Sequence, residues 1–237
     1  MKLPSFWYEK KIWKKGYKTV AGTDEVGRGC FAGPVIAAAV VFSSTLNTKY
    51  EIPDTVVIDD SKRMRPKERE KSADWIKKNA LGWGIGEVPV SDINRLGMAK
   101  ATKKAFRRAV SAVRKRLNKR IDYLLIDAFF IPYIPGLPTR RKKTRRQLPI
   151  VDGDQKSISI ASASIIAKVY RDKLMTSLSK QSTRNAAIQY KVYGWGRNKG
   201  YGTKEHQRAI LRYGITRYHR KVFVKTFLAN SKLKANI

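Results

Sequence analysis

Gly22-Thr23-Asp24-Glu25-Val26-Gly27-Arg28-Gly29 is the stretch on which the reading of this chain turns. Two adjacent carboxylates close an apolar segment and run into Gly-Arg-Gly, in a chain with 51 Lys+Arg against 18 Asp+Glu and a formal net charge of +33. Crowded carboxylates repel each other and are costly unless a cation or a hydrogen-bond network compensates. A divalent metal would supply that compensation. On spacing alone, a polar turn after a strand explains the pair equally well.

Working outward, residues 18–24 read as a short strand ending at Asp24. Residues 34–42 read as a second strand, apolar throughout and so buried on both faces. Residues 83–88 alternate as a third. Between them, Pro66 is placed to open a helix running to Asn79. Residues 98–117 predict a longer helix, with Thr102, Phe106, Ala109, Val110, Val113 and Leu117 on one apolar stripe. Its other face, from Ala99 to Arg120, carries only basic charge. Like charges at i,i+4 destabilise a helix, so a phosphate-facing surface is the favoured reading over a merely solvated one.

Ile121-Asp122-Tyr123-Leu124-Leu125-Ile126-Asp127 is a buried strand that again ends in an acid. A loop with Pro132, Pro135, Gly136 and Pro138 leads to Arg140-Arg141-Lys142-Lys143-Thr144-Arg145-Arg146, read as exposed and suited to non-specific phosphate contact. Leu148-Pro149-Ile150-Val151 forms a short strand entering Asp152-Gly153-Asp154, and a small-residue helix follows from Ser159 to Leu178. A helix after Gly200 has Thr203 as its N-cap and Gly214 just past its end. The tail from Thr226 reads as peripheral. Acid-terminated strands alternating with helices indicate an α/β fold in which Asp24, Asp127 and Asp154 converge on one edge of a sheet.

The chain's 237 residues suit one large domain, or one domain with a helical appendage, and 42% hydrophobic content supports a core. Charge of +33 makes a polyanion the expected partner, with an anionic membrane surface as the competitor. The longest apolar run, Pro34 to Phe42, is too short to span a bilayer, and the N-terminus lacks a signal-peptide core. A lone Cys30 allows no internal disulfide and points to a reducing compartment, the cytoplasm. With one Cys and two His (His206, His219) there is little for a zinc site, so a catalytic metal should be a hard ion held by oxygen, Mg²⁺ or Mn²⁺. No nucleophile-elbow pattern is present.

Three or four carboxylates without His or Cys partners fit a two-metal site for phosphoryl transfer. A glycosidase pair is the rival chemistry, but a polycationic surface has no purpose on a neutral sugar. Charge decides for nucleic acid.

These motifs together resemble ribonuclease HII, the type 2 ribonuclease H family. Asp24-Glu25-Val26-Gly27-Arg28-Gly29 with Gly33-Pro34-Val35, then Asp59-Asp60-Ser61-Lys62, is similar to the family's opening. Leu125-Ile126-Asp127 and Gly153-Asp154-Gln155-Lys156-Ser157 match its later acidic motifs, and Ser159 to Val169 with Arg171-Asp172 its signature helix. Lys199-Gly200-Tyr201-Gly202-Thr203-Lys204-Glu205-His206 and His219-Arg220 complete the order, from about residue 18 to 223.

The resemblance implies an RNase H-like fold with a mixed central sheet flanked by helices: a catalytic domain over residues 1–180 and a C-terminal helical extension over 181–237 that contributes to substrate binding. It implies a monomeric, Mg²⁺- or Mn²⁺-dependent endoribonuclease acting on RNA–DNA hybrids and on ribonucleotide-containing duplex DNA, in replication and repair, leaving 3′-hydroxyl and 5′-phosphate ends. Carried over by position, Asp24, Glu25, Asp127 and Asp154 are the catalytic, metal-binding acids. Gly27, Arg28 and Gly29 read the 2′-hydroxyl, Lys62 contacts phosphate, and Tyr201 stacks on a sugar. The physics agrees, since glycines admit close backbone approach and the 2′-hydroxyl separates RNA from DNA.

Outside that resemblance the same residues have plainer readings. Tyr201 is a rim aromatic, Asp59 and Asp60 shape a turn, His206 and His219 are structural, and Cys30 packs. The chain departs from the family pattern at Asp152, usually Lys, at Ala128, usually Gly, and at Val222, usually Ser. Stretches 139–146 and 179–192 look like insertions. Only 23 residues precede Asp24, and with Gly-Arg-Gly present this speaks against the related type 3 enzyme. The competing class is a non-catalytic nucleic-acid-binding protein; the four retained acids argue against it, because discarding them would strengthen binding to a polyanion.

Overall fold

The computed structural model describes residues 3–44, 52–53, 55–137, 146–182 and 189–235. In chain order the elements are α1 (Trp7–Trp13), β1 (Val20–Val26), β2 (Val35–Val41), α2 (Pro66–Asn79), β3 (Gly82–Val88), α3 (Val90–Leu96), α4 (Met98–Leu117), β4 (Tyr123–Asp127), β5 (Gln147–Ile150), α5 (Ile158–Ser179), α6 (Trp195–Asn198), α7 (Lys204–Tyr213) and α8 (Lys221–Ala235). Short 3₁₀ turns span Gly153–Gln155 and Tyr190–Tyr193.

The five strands form one sheet in the order β3-β2-β1-β4-β5. β1 runs antiparallel to β2 and parallel to β4, and β4 runs parallel to β5, so the sheet is mixed. β2 is buried at every residue, as an uninterrupted apolar run in a central strand should be. β1 continues to Val26, two residues beyond the predicted end, because both carboxylate residues still pair with β2: Asp24 opposite Ala38 and Glu25 opposite Ala37.

By contacts the chain forms two compact units. The first comprises Met1–Val26, Ile36–Glu87 and Lys103–Val169, and contains the sheet. Its core joins Ile36, Val40 and Phe42 of the sheet side to Ala73 and Ile76 of α2 and to Ala161, Ile165 and Ile166 of α5. α5 lies so close to β1 that a Cβ at Gly22 would overlap the Ser159 backbone. A second cluster seats Ile12 of α1 against Val20, Leu125, Ile150 and Ile160.

The second unit gathers Gly27–Val35 and Val88–Thr102 with Tyr170–Ile237. Its core is built on Met175, Tyr190, Tyr193, Trp195, Ile210 and Val224. The tail expected to be peripheral is helical to Ala235, and Phe227 and Leu228 pack on this core. Thr203 caps α7 as predicted, its hydroxyl accepting from the His206 N–H, and Gly214 ends it at φ +74°.

Part of the basic face of α4 has internal work. Arg107, Arg108 and Arg114 donate to the carbonyls of Tyr133, Glu87 and Pro135, and the Arg116 guanidinium lies 3.9 Å from the Trp83 ring centroid. The predicted basic loop lies outside the described residues except at Arg146, whose guanidinium sits over Tyr17. Of the stretch 179–192, residues 183–188 are likewise outside them. Among the described residues, no helix is long and apolar enough to cross a membrane.

Candidate active site

The sheet brings the acids together through its parallel pairs. Thr23 is paired with Ile126, so the next step along both strands sets Asp24 beside Asp127; Asp127 is in turn paired with Ile150, four residues before Asp154. In a parallel pair, partners share a face. Asp154 sits on the 3₁₀ turn after β5, which Asp127 anchors by accepting the Gly153 N–H at 2.7 Å.

Asp24 and Asp154 are almost fully buried, whereas Glu25 and Asp127 are half-exposed. Burial raises the Asp24 carboxyl well above its usual range, and the charges of Glu25, Asp127 and Asp154 raise it further, against a hydrogen bond from Ser164. Asp154 is pushed up to about 6, first by burial and then by Asp60, with Lys62 opposing. The Lys62 ammonium lies 3.6 Å from Asp154 and 4.0 Å from Asp60. Burial opposes its charge, but the carboxylates of Asp60 and Asp154 outweigh this and raise its proton affinity.

The turn reading of Asp59 and Asp60 is correct but incomplete. Asp59 accepts the Asp60 N–H at 2.8 Å and Asp60 accepts the Lys62 N–H at 2.9 Å, an Asx-type turn. Asp60 also stands close enough to raise the proton affinity of Asp154, joining the acidic group. Ser61 and Ser164 are a further addition: their hydroxyls are 2.9 Å apart, and Ser164 bonds Asp24, so a two-hydroxyl relay supports the buried carboxyl. In the sequence Ser164 is one of several small residues in the helix after Ser159. The usable signal was its place one turn after Ile160, on the α5 face that covers β1. Asp152 is exposed with a left-handed backbone (φ +52°), while the acids that crowd Asp154 are Asp60 and Asp127.

This is an oxygen-only donor set with uncompensated negative charge, which suits a hard divalent cation. Among the described residues, no three acidic, His or Cys side chains already surround a single point. The Asp24, Asp127 and Asp154 carboxylates instead face the Glu25 N–H, the Gly153 N–H and the Lys62 ammonium.

In the second unit, Gly27 has φ +88°, and a Cβ there would overlap the Arg171 guanidinium. Arg28 and Gly29 are exposed. Two fully buried arginines hold this loop by its carbonyls. Arg220 donates to Arg28 O at 2.8 Å, Gly33 O at 2.9 Å and Pro34 O at 3.0 Å. Arg171 donates to Pro34 O at 3.1 Å, Ala32 O at 3.1 Å and Lys199 O at 2.8 Å. Sequence reading used both arginines only as motif markers.

Tyr201 is 41% exposed, with the Arg171 guanidinium 6.0 Å from its ring centroid and its hydroxyl bonded to Cys30. Its carbonyl faces His206 Nδ1 at 2.9 Å. A carbonyl only accepts, so Nδ1 carries the proton and Nε2 is the acceptor for Trp195 Nε1 and His219 Nε2, each at 3.1 Å. His219 Nδ1 accepts the Thr216 N–H at 2.8 Å, which fixes the complementary tautomer. Both rings are neutral: burial lowers His206, and burial and the neighbouring imidazole bring His219 down to about 3. The structural reading of the two histidines therefore holds, with Tyr201 as the residue they support.

The fold matches ribonuclease H-type nucleases of known structure. The ribonuclease H2 of Pyrococcus horikoshii OT3 superposes with a TM-score of 0.63 at 21% identity, covering 88% of this chain and 96% of that one. Bst-RNase HIII in complex with Mn²⁺ gives 0.65 at 19% identity, covering 91% of this chain and 71% of that one. Sequence narrows the class: the family profile of ribonuclease HII matches residues 21–230. The ribonuclease HII of Caldanaerobacter subterraneus subsp. tengcongensis is 42% identical over 93% of this chain and 80% of its own length. The chain belongs to the ribonuclease HII family and is a nuclease.

Proposed function

We propose that this chain hydrolyses the RNA strand of RNA–DNA hybrids and nicks duplex DNA at single embedded ribonucleotides, leaving 3′-hydroxyl and 5′-phosphate ends. The observation that carries the reading is the crowding of Asp24 with Glu25, Asp127 and Asp154 around the parallel pair β1 and β4 and the turn after β5, with the Asp24 proton affinity raised by burial first and by its acidic neighbours second. Asp24, Glu25, Asp127 and Asp154 would hold two divalent cations, Mg²⁺ or Mn²⁺. Such ions, when bound, supply the charge that activates water and stabilises the leaving oxygen.

The chain's own residues do the rest. Lys62, tethered by the Asp60 turn, reaches a substrate phosphate when it leaves Asp154. The backbone of residues 27–29, held by Arg220 at the Arg28 carbonyl, meets the ribose 2′-hydroxyl, and the exposed ring of Tyr201 packs on the neighbouring sugar. Val26 leads directly into Gly27, so cleavage and sugar reading share one continuous segment. The helices after residue 180 contribute to binding through Tyr201. A monomer acting in the cytoplasm is sufficient for these roles.

Cleavage-site mapping on duplex DNA with one ribonucleotide tests the reading. The wild type gives one metal-dependent nick at the ribonucleotide, and Asp127→Asn abolishes it while binding persists. Full activity in Asp127→Asn, or metal-independent cleavage, overturns it.

A further inference from the structure

The first unit carries a groove of about 400 Å³ lined by Leu3, Trp7, Tyr8, Arg63, Gln155 and Lys156. Two of its walls continue the candidate site along the chain: Gln155 and Lys156 directly follow Asp154, and Arg63 directly follows Lys62. The third wall is α1, which precedes the part of the chain matched by the family profile.

α1 is fixed with care. Ser5 bridges to Ser157, and the Glu9 carboxylate, fully buried, accepts from the Ser157 hydroxyl at 2.6 Å and the Ser159 N–H at 2.9 Å. Burying a carboxylate is costly without such donors, so the register of α1 on α5 is strongly specified. Yet this anchored helix leaves Trp7 57% exposed, and Leu3 beside it is 60% exposed. Tyr8 meets the Trp7 ring edge-on at 4.7 Å, and the Lys11 ammonium lies 5.1 Å from its centroid.

The surrounding charge selects the occupant. Lys10, Lys11, Arg63 and Lys156 are exposed, whereas the one acid of α1, Glu9, is turned inward. Arg63 pairs with Asp59 at 3.5 Å, and Lys156 donates to the Val151 carbonyl at 2.6 Å, so both cations are held in place at the groove. Apolar surface framed by fixed cations suits a sugar–phosphate backbone: sugars pack on the indole and leucine while phosphates take the cations.

We propose that this groove binds the backbone of the substrate duplex on one side of the scissile phosphate, with Trp7 against a sugar and Arg63 and Lys156 on phosphates. The proposal rests on the function proposed above, and extends it to a subsite outside the cleaved step.

The test uses the full chain and duplex DNA bearing one ribonucleotide, with the arm lengthened on either the 5′ or the 3′ side. Fluorescence anisotropy gives Kd and single-turnover cleavage gives the rate. One long arm should tighten wild-type binding. Trp7→Ala and Arg63→Gln should each raise Kd for that duplex about three- to tenfold, Trp7→Phe should retain most of the affinity, and all should match the wild type on short-armed duplexes in Kd and saturating rate.

Variants that bind the long-armed duplex as the wild type does, or that lose the same factor on every duplex, overturn the groove. If Trp7→Ala instead leaves the duplex unaffected and loses an acidic peptide, the occupant is a protein and the proposal falls. A wild type that shows the arm effect but cuts nothing sinks the proposed activity alone.

Discussion

The Lys62 ammonium stands 3.6 Å from the Asp154 carboxylate, occupying with a single charge the place where a divalent cation would be drawn. The lysine side chain is largely exposed, so the pair itself contributes less than about 1 kcal/mol. Its effect should appear as competition. In Lys62→Met, titration calorimetry with Mn²⁺ should show tighter binding by about two- to fivefold. Threefold tighter binding adds about 0.6 kcal/mol of metal-dependent stabilisation at saturation. Cleavage should nonetheless fall through a raised KM, because the phosphate contact proposed for Lys62 would be lost. Weaker Mn²⁺ binding in this variant would refute the competition.

Arg220 places three donors on the carbonyls of Arg28, Gly33 and Pro34 from a fully buried position. A lysine keeps the charge but not the planar fork. Arg220→Lys should lose about 2–4 kcal/mol in denaturant unfolding, since buried acceptors left unmatched cost about 1–3 kcal/mol each. Its discrimination between a ribonucleotide and a deoxyribonucleotide duplex should drop more than its rate on a long hybrid. Unaltered stability and discrimination would show that the loop is held by other contacts.

The neutral His206–His219 pair predicts acid sensitivity. His219 has its proton affinity lowered to about 3 in the fold, mainly by burial, against about 6.5 in an unfolded chain. Between these values the unfolded chain binds the extra proton, so stability is fully present above about pH 6.5. It falls by about 1.4 kcal/mol per pH unit as pH drops toward 3. Urea unfolding from pH 7 to pH 4 measures this slope, and His219→Gln should flatten it. A slope unaffected by that substitution would place the acid sensitivity elsewhere.

Ala128 follows Asp127 in a left-handed conformation, φ +60°, where a Cβ costs about 1–2 kcal/mol. Ala128→Gly should raise stability by about 0.5–1 kcal/mol after the added freedom of the unfolded glycine is deducted. For a chain of this size that is about 1–4 °C in Tm. A lowered Tm would mean that the strain is absent.

Much of this protein could be read from residue order. Hydrophobic periodicity gave α2 and α4 their observed limits, because amphipathic helices carry their own period, and Thr203 and Gly214 marked α7 because caps are local chemistry. Asp24, Asp127 and Asp154 were visible as acids at strand ends. α1 and α3 were not, being seven residues each and too short for a periodic signal.

Residue order was enough for the strands, the long helices, the polyanion-seeking charge and the family, since each depends on neighbours along the chain or on a fixed order of motifs. What the polar groups do emerged from the folded arrangement. It paired Lys62 with Asp154, drew Asp60 and the Ser61–Ser164 hydroxyls into the acidic group, tied arginines of α4 to the carbonyls of neighbouring segments, and made two histidines the support of Tyr201. Those partners lie up to 192 residues apart, as for Arg220 and Arg28. A buried donor or charge is satisfied by whatever the fold brings within about 3 Å, and no local pattern encodes that.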